Sequence, residues 1–225
     1  MSNGERTNTM KDILYFLRQL CVNNNRDWFD ANRAEYKVRK EQFEEIVTRL
    51  IAKTAEFDPS VSHLIAKDCT YRINRDTRFS NDKTPYKNHF GAFIAPGGKK
   101  ACTGGYYFHI EPDSSIIAGG IYMPPSNILL KIRTAIYERP KEFVAIVEHP
   151  EFVKTFGEID GEKLKAAPRG FPKIFEQLEL IKYKSYTVGT SVTDDFIEHG
   201  DVESHTIEVF KKMKDFNVFM NRTLE

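Results

Sequence analysis

The chain has 225 residues, 40% of them hydrophobic and 12% aromatic, with 33 Lys or Arg against 32 Asp or Glu for a net charge of +1. A chain of this length buries about 70% of its unfolded surface, and 17 Phe with 10 Tyr fill a core without disulfides or metals, which argues against disorder. The near-zero charge excludes a long-range positive field drawing the molecule to nucleic acid or anionic membranes, so any such partner must be read by a local patch.

The polar opening MSNGERTNTM reads as a flexible tail over residues 1–9 of a single α+β domain spanning 1–225. Apolar residues Ile13, Leu14, Phe16, Leu17, Leu20 and Cys21 recur at three- and four-residue spacing, which predicts an amphipathic helix over 11–22. Asn23-Asn24-Asn25 stops it. Asn25 then caps a second, longer helix whose apolar stripe is Phe29, Tyr36, Phe43, Val47 and Leu50, with Asp27 in its first turn. Trp28 is expected to pack between helices rather than stack on a ligand.

After Asp58-Pro59, short aromatic and β-branched runs separated by Gly and Pro predict strands at 70–74, 89–95, 105–111 and 116–123. They are expected to form an antiparallel meander. Pro96-Gly97-Gly98-Lys99-Lys100 joins the middle two as a hairpin connection, and Gly119-Gly120 suggests a bulge. Helical periodicity returns over 127–137 and 141–147, with Pro140 as a break or an N1 residue. A strand over 186–192 precedes a C-terminal helix striped by Val209, Phe210, Met213, Phe216 and Met220. Helices before and after a block of strands predict an α+β fold in which the meander packs against N-terminal and C-terminal helices.

Cys21, Cys69 and Cys102 are odd in number, lack CxxC spacing or a Cys/His ligand set, and read as buried reduced thiols. Neither a metal nor a cofactor is expected. No apolar run approaches the length of about 18 residues that a membrane span requires, so the expectation is a cytoplasmic protein without membrane partners.

The densest chemistry lies in residues 71–87. From 67 to 89 there are six Lys or Arg against three Asp in a molecule that is nearly neutral overall. Read as a strand, the segment puts Arg72, Asn74, Asp76 and Arg78 on one face and Tyr71, Ile73 and Arg75 on the other. Arginine forks bind carboxylate or phosphate at two points, and Asp76 among them orients them. Ser80, Lys83, Tyr86 and Lys87 add a hydroxyl, a phenol and point charges suited to an anion. The alternative is a structural network in which Asp76 and Asp82 pair with the arginines and fix an irregular loop.

A second candidate is the strand over 105–111, where Tyr107, His109 and Glu111 share a face. There, His109 can serve as acid or base with Glu111 as its orienter. His89 is a weaker candidate. Lys163, Lys165 and Arg169 lie with Pro168 and Gly170 in a loop of the kind that completes a site. No GxGxxG, GxxxxGK[ST], GxSxG, HExxH or EF-hand pattern is present.

Over nearly its full length the chain resembles the bacterial family catalogued as domain of unknown function 2461. The resemblance rests on 24–29 (NNRDWF), on 72–79 (RINRDTRF) with Asp82-Lys83 and Pro85-Tyr86-Lys87, on Gly105-Tyr106-Tyr107 with His109, and on Leu164-Lys165 with Pro168-Arg169-Gly170. It implies that the arginine-rich segment is the family's hallmark. It brings no activity, substrate or catalytic residue.

These residues point to a pocket for a small phosphate- or carboxylate-bearing molecule built from Arg72, Arg75, Asp76, Arg78, Lys83, Tyr86 and Lys87, with His109 and Lys165 in attendance. Catalysis there stays open. One rival is nucleic-acid binding by the same basic stretch with Lys99, Lys100, Tyr106 or Tyr107, which the near-zero net charge disfavours. Another is a structural or interaction protein in which the arginines form an ion-pair network or a subunit interface.

Overall fold

A computed structural model describes residues 9–78 and 81–224. The expected tail, apart from Thr9, and the Ser80 hydroxyl lie outside the described residues. Helix α1 (Thr9–Val22) buries Ile13, Leu14, Phe16, Leu17 and Leu20 of the stripe expected of it, whereas Cys21, in its last turn, is exposed. The long second helix is two. The Asn25 side chain accepts a hydrogen bond from the Trp28 amide and starts α2 (Arg26–Ala31), which ends at Asn32 before α3 (Arg33–Ala55) begins. Asn32 donates its side-chain amide to the Trp28 carbonyl at 2.8 Å, a local bond that competes with the helical ladder. Trp28 packs as expected, its ring centroid 6.0 Å from that of Phe16.

A short helix α4 (Ala66–Cys69) leads toward the sheet of β1 (Phe90–Ile94), β2 (Gly105–Ile110) and β3 (Ser115–Ile121). The chain then leaves for α5 (Ser126–Glu138), α6 (Pro140–Val147), α7 (Pro150–Phe156) and α8 (Leu178–Ile181), and returns as β4 (Tyr186–Val192). Pro140 sits at the start of α6, where its missing N–H costs nothing. The strands pair antiparallel in the order β1-β2-β3-β4. The last elements are α9 (Asp194–His199), α10 (Val202–Lys212) and α11 (Lys214–Arg222). The expected single C-terminal helix breaks at Met213, whose ψ of 1° leaves the helical range, yet every residue of its stripe is buried.

Two expectations about the sheet are corrected. Residues 70–74 are not a strand of the meander. Thr70 makes one bridge to Ala92 and the Tyr71 amide donates to the Gly91 carbonyl, after which the chain changes partner and Asn74 bridges Tyr86. The new pairing stays short because Pro85 has no N–H to donate to a ladder. The fourth strand is instead β4, whose outer edge is bridged once by Asp160 at Thr187. Gly119-Gly120 is also not a bulge, since the register runs through it on both sides. Close approach explains the pair. A Cβ on Gly119 would meet the Met213 sulfur at 2.3 Å, and one on Gly120, whose φ is +104°, would meet the Tyr186 carbonyl at 2.1 Å.

One face of the sheet makes the core. Phe108 stacks on Phe43 of α3 at 5.9 Å, Tyr106 meets Phe210 of α10 at 5.1 Å, and Tyr186 meets Phe143 of α6 at 6.2 Å. Each such ring removes about 150–250 Å² from water. At about 25 cal/mol per Å², that contributes roughly 4–6 kcal/mol against the entropy of ordering the chain. Among the described residues no helix is long and apolar enough to cross a membrane. All three cysteines are free, but only Cys69 is buried.

Gly120→Ala should lower stability by about 2 kcal/mol or more, because a positive φ and a backbone clash act together. The shift of the chemical-denaturation midpoint measures it.

Candidate functional site

The residues singled out in the sequence fall at two places. The first is an arm formed by residues 73–75 and 85–87, where the Arg75 amide donates to the Pro85 carbonyl and the Lys87 amide to that of Ile73. Its base is held by the N-terminal helices. The Asn24 side chain donates to the Tyr86 carbonyl and to Asn88 Oδ1 and accepts from the Tyr86 amide at 3.1 Å, while the Tyr86 ring stacks on Phe29 at 3.8 Å. Tyr86, a candidate anion ligand, is thus a buried anchor.

At the tip, Arg78 and Arg75 pair with the nearby aspartates Asp76 and Asp82. Arg78 places Nε and Nη2 on the two carboxylate oxygens of Asp76 at 2.9 and 2.6 Å, and its amide donates to the same side chain. Arg75 bonds to Asp82 and Thr84, and Lys83 Nζ donates to the Thr77 carbonyl at 3.0 Å. Arg72 is exposed and makes no ion pair among the described residues. Arg75, Lys83 and Tyr86 line a shallow recess of about 530 Å³ with Asn24, Asn25 and Arg26. Lys165 is exposed and lines neither this recess nor the cavity described next.

That cavity, about 650 Å³, lies on the face of the sheet away from the core. The β alternation that buries Tyr106 and Phe108 turns Tyr107 and His109 outward, beside Phe93 of β1 and Ile116 and Ala118 of β3. Space for the Tyr107 ring comes from Gly91, where a Cβ would sit 2.7 Å from the phenol oxygen. Lys87 brings the arm to the cavity's edge, beside His89. Register puts Lys99, Tyr122 and Met123 toward the opposite end.

Tyr107 Oη is 2.8 Å from His109 Nδ1, and His109 Nε2 is 2.9 Å from Glu111 Oε2. An ionised carboxylate only accepts, so Nε2 carries the hydrogen and Nδ1 accepts from the phenol. Burial, reinforced by Lys87, lowers the His109 pKa to about 4. Burial and the neighbouring His109 bring His89 to about 4 as well, opposed by Glu111. Burial also lowers Lys87, with help from Arg72, and raises the Tyr107 phenol. At neutral pH the His pair is therefore uncharged.

The expected grouping of His109 with Glu111 holds in this geometry. His89, the weaker candidate, joins them. Its Nδ1 lies 3.9 Å from Glu111 Oε2 and its ring centroid 4.3 Å from that of His109. The signal was in the register: Phe90 pairs with Ile110, so one further step sets His89 opposite Glu111.

The short bonds at the arm's tip have a pH signature. Asp76 is held at about 2 by the Arg78 guanidinium and amide, and Asp82 at about 2 by the Thr84 amide, Arg75 and the Thr84 hydroxyl. Depressed carboxylates stabilise the fold above their unfolded value of about 3.9, and that contribution is lost as the pH falls through the folded value. NMR titration should show the Arg78 and Thr84 amide shifts moving near pH 2, well below the ordinary range.

Neither a curated protein nor a solved structure matches the chain. The match that does exist covers both places described above. Residues 12–219 match a family described as "Conserved hypothetical protein (DUF2461)", and the chain belongs to that family.

Proposed function

We propose that the protein binds a small organic anion, a carboxylate or phosphate on an apolar body, in the cavity on the open face of the sheet. The observation that carries this is Lys87. Its ammonium is half-buried at the edge of a mostly apolar cavity, 5.3 Å from the Tyr71 ring, with no carboxylate paired to it among the described residues. Withdrawing a cation from water is costly unless an anion compensates. Few, convergent polar groups over an apolar floor are the usual make-up of a small-molecule site.

The Arg72–Lys87 segment serves this site by presenting Lys87. Pairing of Arg75 and Arg78 with Asp82 and Asp76 favours the structural reading for those two arginines. Exposed pairs of this kind stabilise little and mainly fix geometry. If the ligand reacts, the Tyr107, His109 and Glu111 chain supplies a neutral imidazole as acid or base, with the carboxylate orienting it.

The test is a thermal-shift screen with small carboxylates and phosphates on the wild type, Lys87→Met and Arg78→Ala. At 100 times Kd a ligand adds about 2.7 kcal/mol, and each kcal/mol raises Tm by about 2–4 °C at this size. Lys87→Met should weaken binding by about 10- to 100-fold, as expected for loss of a charged hydrogen bond. Arg78→Ala should keep it. Absence of any stabiliser, or binding lost in Arg78→Ala and kept in Lys87→Met, overturns the proposal.

A further inference from the structure

A hydrogen-bonded chain accounts for Tyr107, His109 and Glu111, but it leaves His89 without a purpose. The His89 ring makes no hydrogen bond among the described residues. It nevertheless directs Nδ1 toward the same carboxylate oxygen that His109 Nε2 contacts. One ligand atom from each of His89, His109 and Glu111 lies within 4.8 Å of the others. Two imidazoles and one carboxylate are a donor set for zinc or ferrous iron rather than calcium or magnesium, which prefer oxygen throughout.

We propose that His89, His109 and Glu111 bind one divalent transition-metal ion at the edge of the cavity, with its remaining coordination positions facing the cavity. The inference is independent of the anion-binding reading, because the three ligands are complete without an organic molecule.

With metal–ligand bonds of about 2.0–2.2 Å, neighbouring donor atoms sit roughly 3.0–3.5 Å apart. The His109 to Glu111 separation of 2.9 Å lies just below that range and needs only a slight opening. The 3.9 Å from His89 to Glu111 closes by rotation of the His89 ring, whose side chain is 26% exposed and is held by no hydrogen bond among the described residues. The His109 side chain, 10% exposed, is the fixed ligand about which the other two adjust.

Binding has a definite effect on the hydrogen bonds. An ion on Nε2 needs the lone pair of that atom, so the hydrogen now facing Glu111 leaves and the imidazole carries its hydrogen on Nδ1. Tyr107 Oη then accepts from Nδ1–H, having been the donor before. Tyr107 is thereby a positioning residue that fixes the ring tautomer, as outer hydrogen-bond partners of metal-bound histidines commonly do. Lys87 opposes the ion by charge repulsion. Glu111 offsets one charge, so the ion, Glu111 and Lys87 together remain net positive, and the open positions suit anionic oxygen donors.

The test uses the full chain, stripped of metal with a chelator, dialysed against Zn²⁺ or Co²⁺ alone and analysed for bound metal, with Co²⁺ absorption reporting the coordination sphere. Wild type should hold one ion per chain. Glu111→Gln and His89→Ala, both at partly exposed positions, should each weaken binding by about 100-fold or more while circular dichroism shows them folded. Tyr107→Phe should lose about 10- to 100-fold, as expected for an outer-sphere partner. A Cys21→Ser/Cys102→Ser double variant, which removes the exposed thiols, should bind as wild type does. The proposal is overturned if the folded wild type retains no ion at micromolar metal. It is equally overturned if Glu111→Gln and His89→Ala bind unchanged, or if binding follows the two cysteines.

Discussion

The antiparallel register of β1 with β2 is the constraint from which the rest of the molecule follows. It sends Phe90, Ala92, Phe108 and Ile110 into the core with Phe43 and Phe210, and by the same alternation it turns Gly91, Phe93, Tyr107 and His109 to the opposite face. A slip of one residue would exchange the two faces, burying an imidazole and a phenol while exposing the aromatic core. The hydrophobic energy of one face therefore fixes the chemistry of the other. Gly91 has to be glycine for the Tyr107 ring to lie where it can reach His109.

The arm depends on that face from a distance. Asn24 and Phe29, at the start of the chain, hold the backbone and ring of Tyr86, and Tyr86 immediately precedes the lysine that reaches the cavity. The asparagine-rich turn and the arginine-rich segment are thus two halves of one support, about sixty residues apart in sequence. The charged tip closes on itself through local pairs, so its basic character is largely spent internally.

The α+β fold was legible because periodicity survives in single stripes. Apart from the exposed Cys21, the apolar stripes of α1, α3, α10 and α11 stand in the spacing even where the helix breaks at Asn32 and Met213 do not, since a break without Gly or Pro leaves the spacing nearly intact. The strand assigned to residues 70–74 failed for another reason. Its β-branched and aromatic residues do lie extended, but a change of partner near Ile73 and the missing amide of Pro85 are tertiary facts that composition does not carry. At the site, Tyr107, His109 and Glu111 could be grouped because they are two residues apart on one strand. His89 required knowing the pairing, and Lys87 was separable from its basic neighbours only by burial.

The segments flanking the sheet have a role in keeping molecules apart. A four-stranded sheet has two outer strands whose unpaired amides and carbonyls invite pairing with another chain. Here Thr70 and Tyr71 lie on the outer side of β1, and on the outer side of β4 the Asp160 amide donates to the Thr187 carbonyl while the Asp160 carbonyl accepts from the Thr187 hydroxyl. These are single bridges, too short to extend the sheet but long enough to occupy its borders. The stretch that reads in sequence as a strand therefore acts as a stop, protecting the protein from edge-to-edge aggregation.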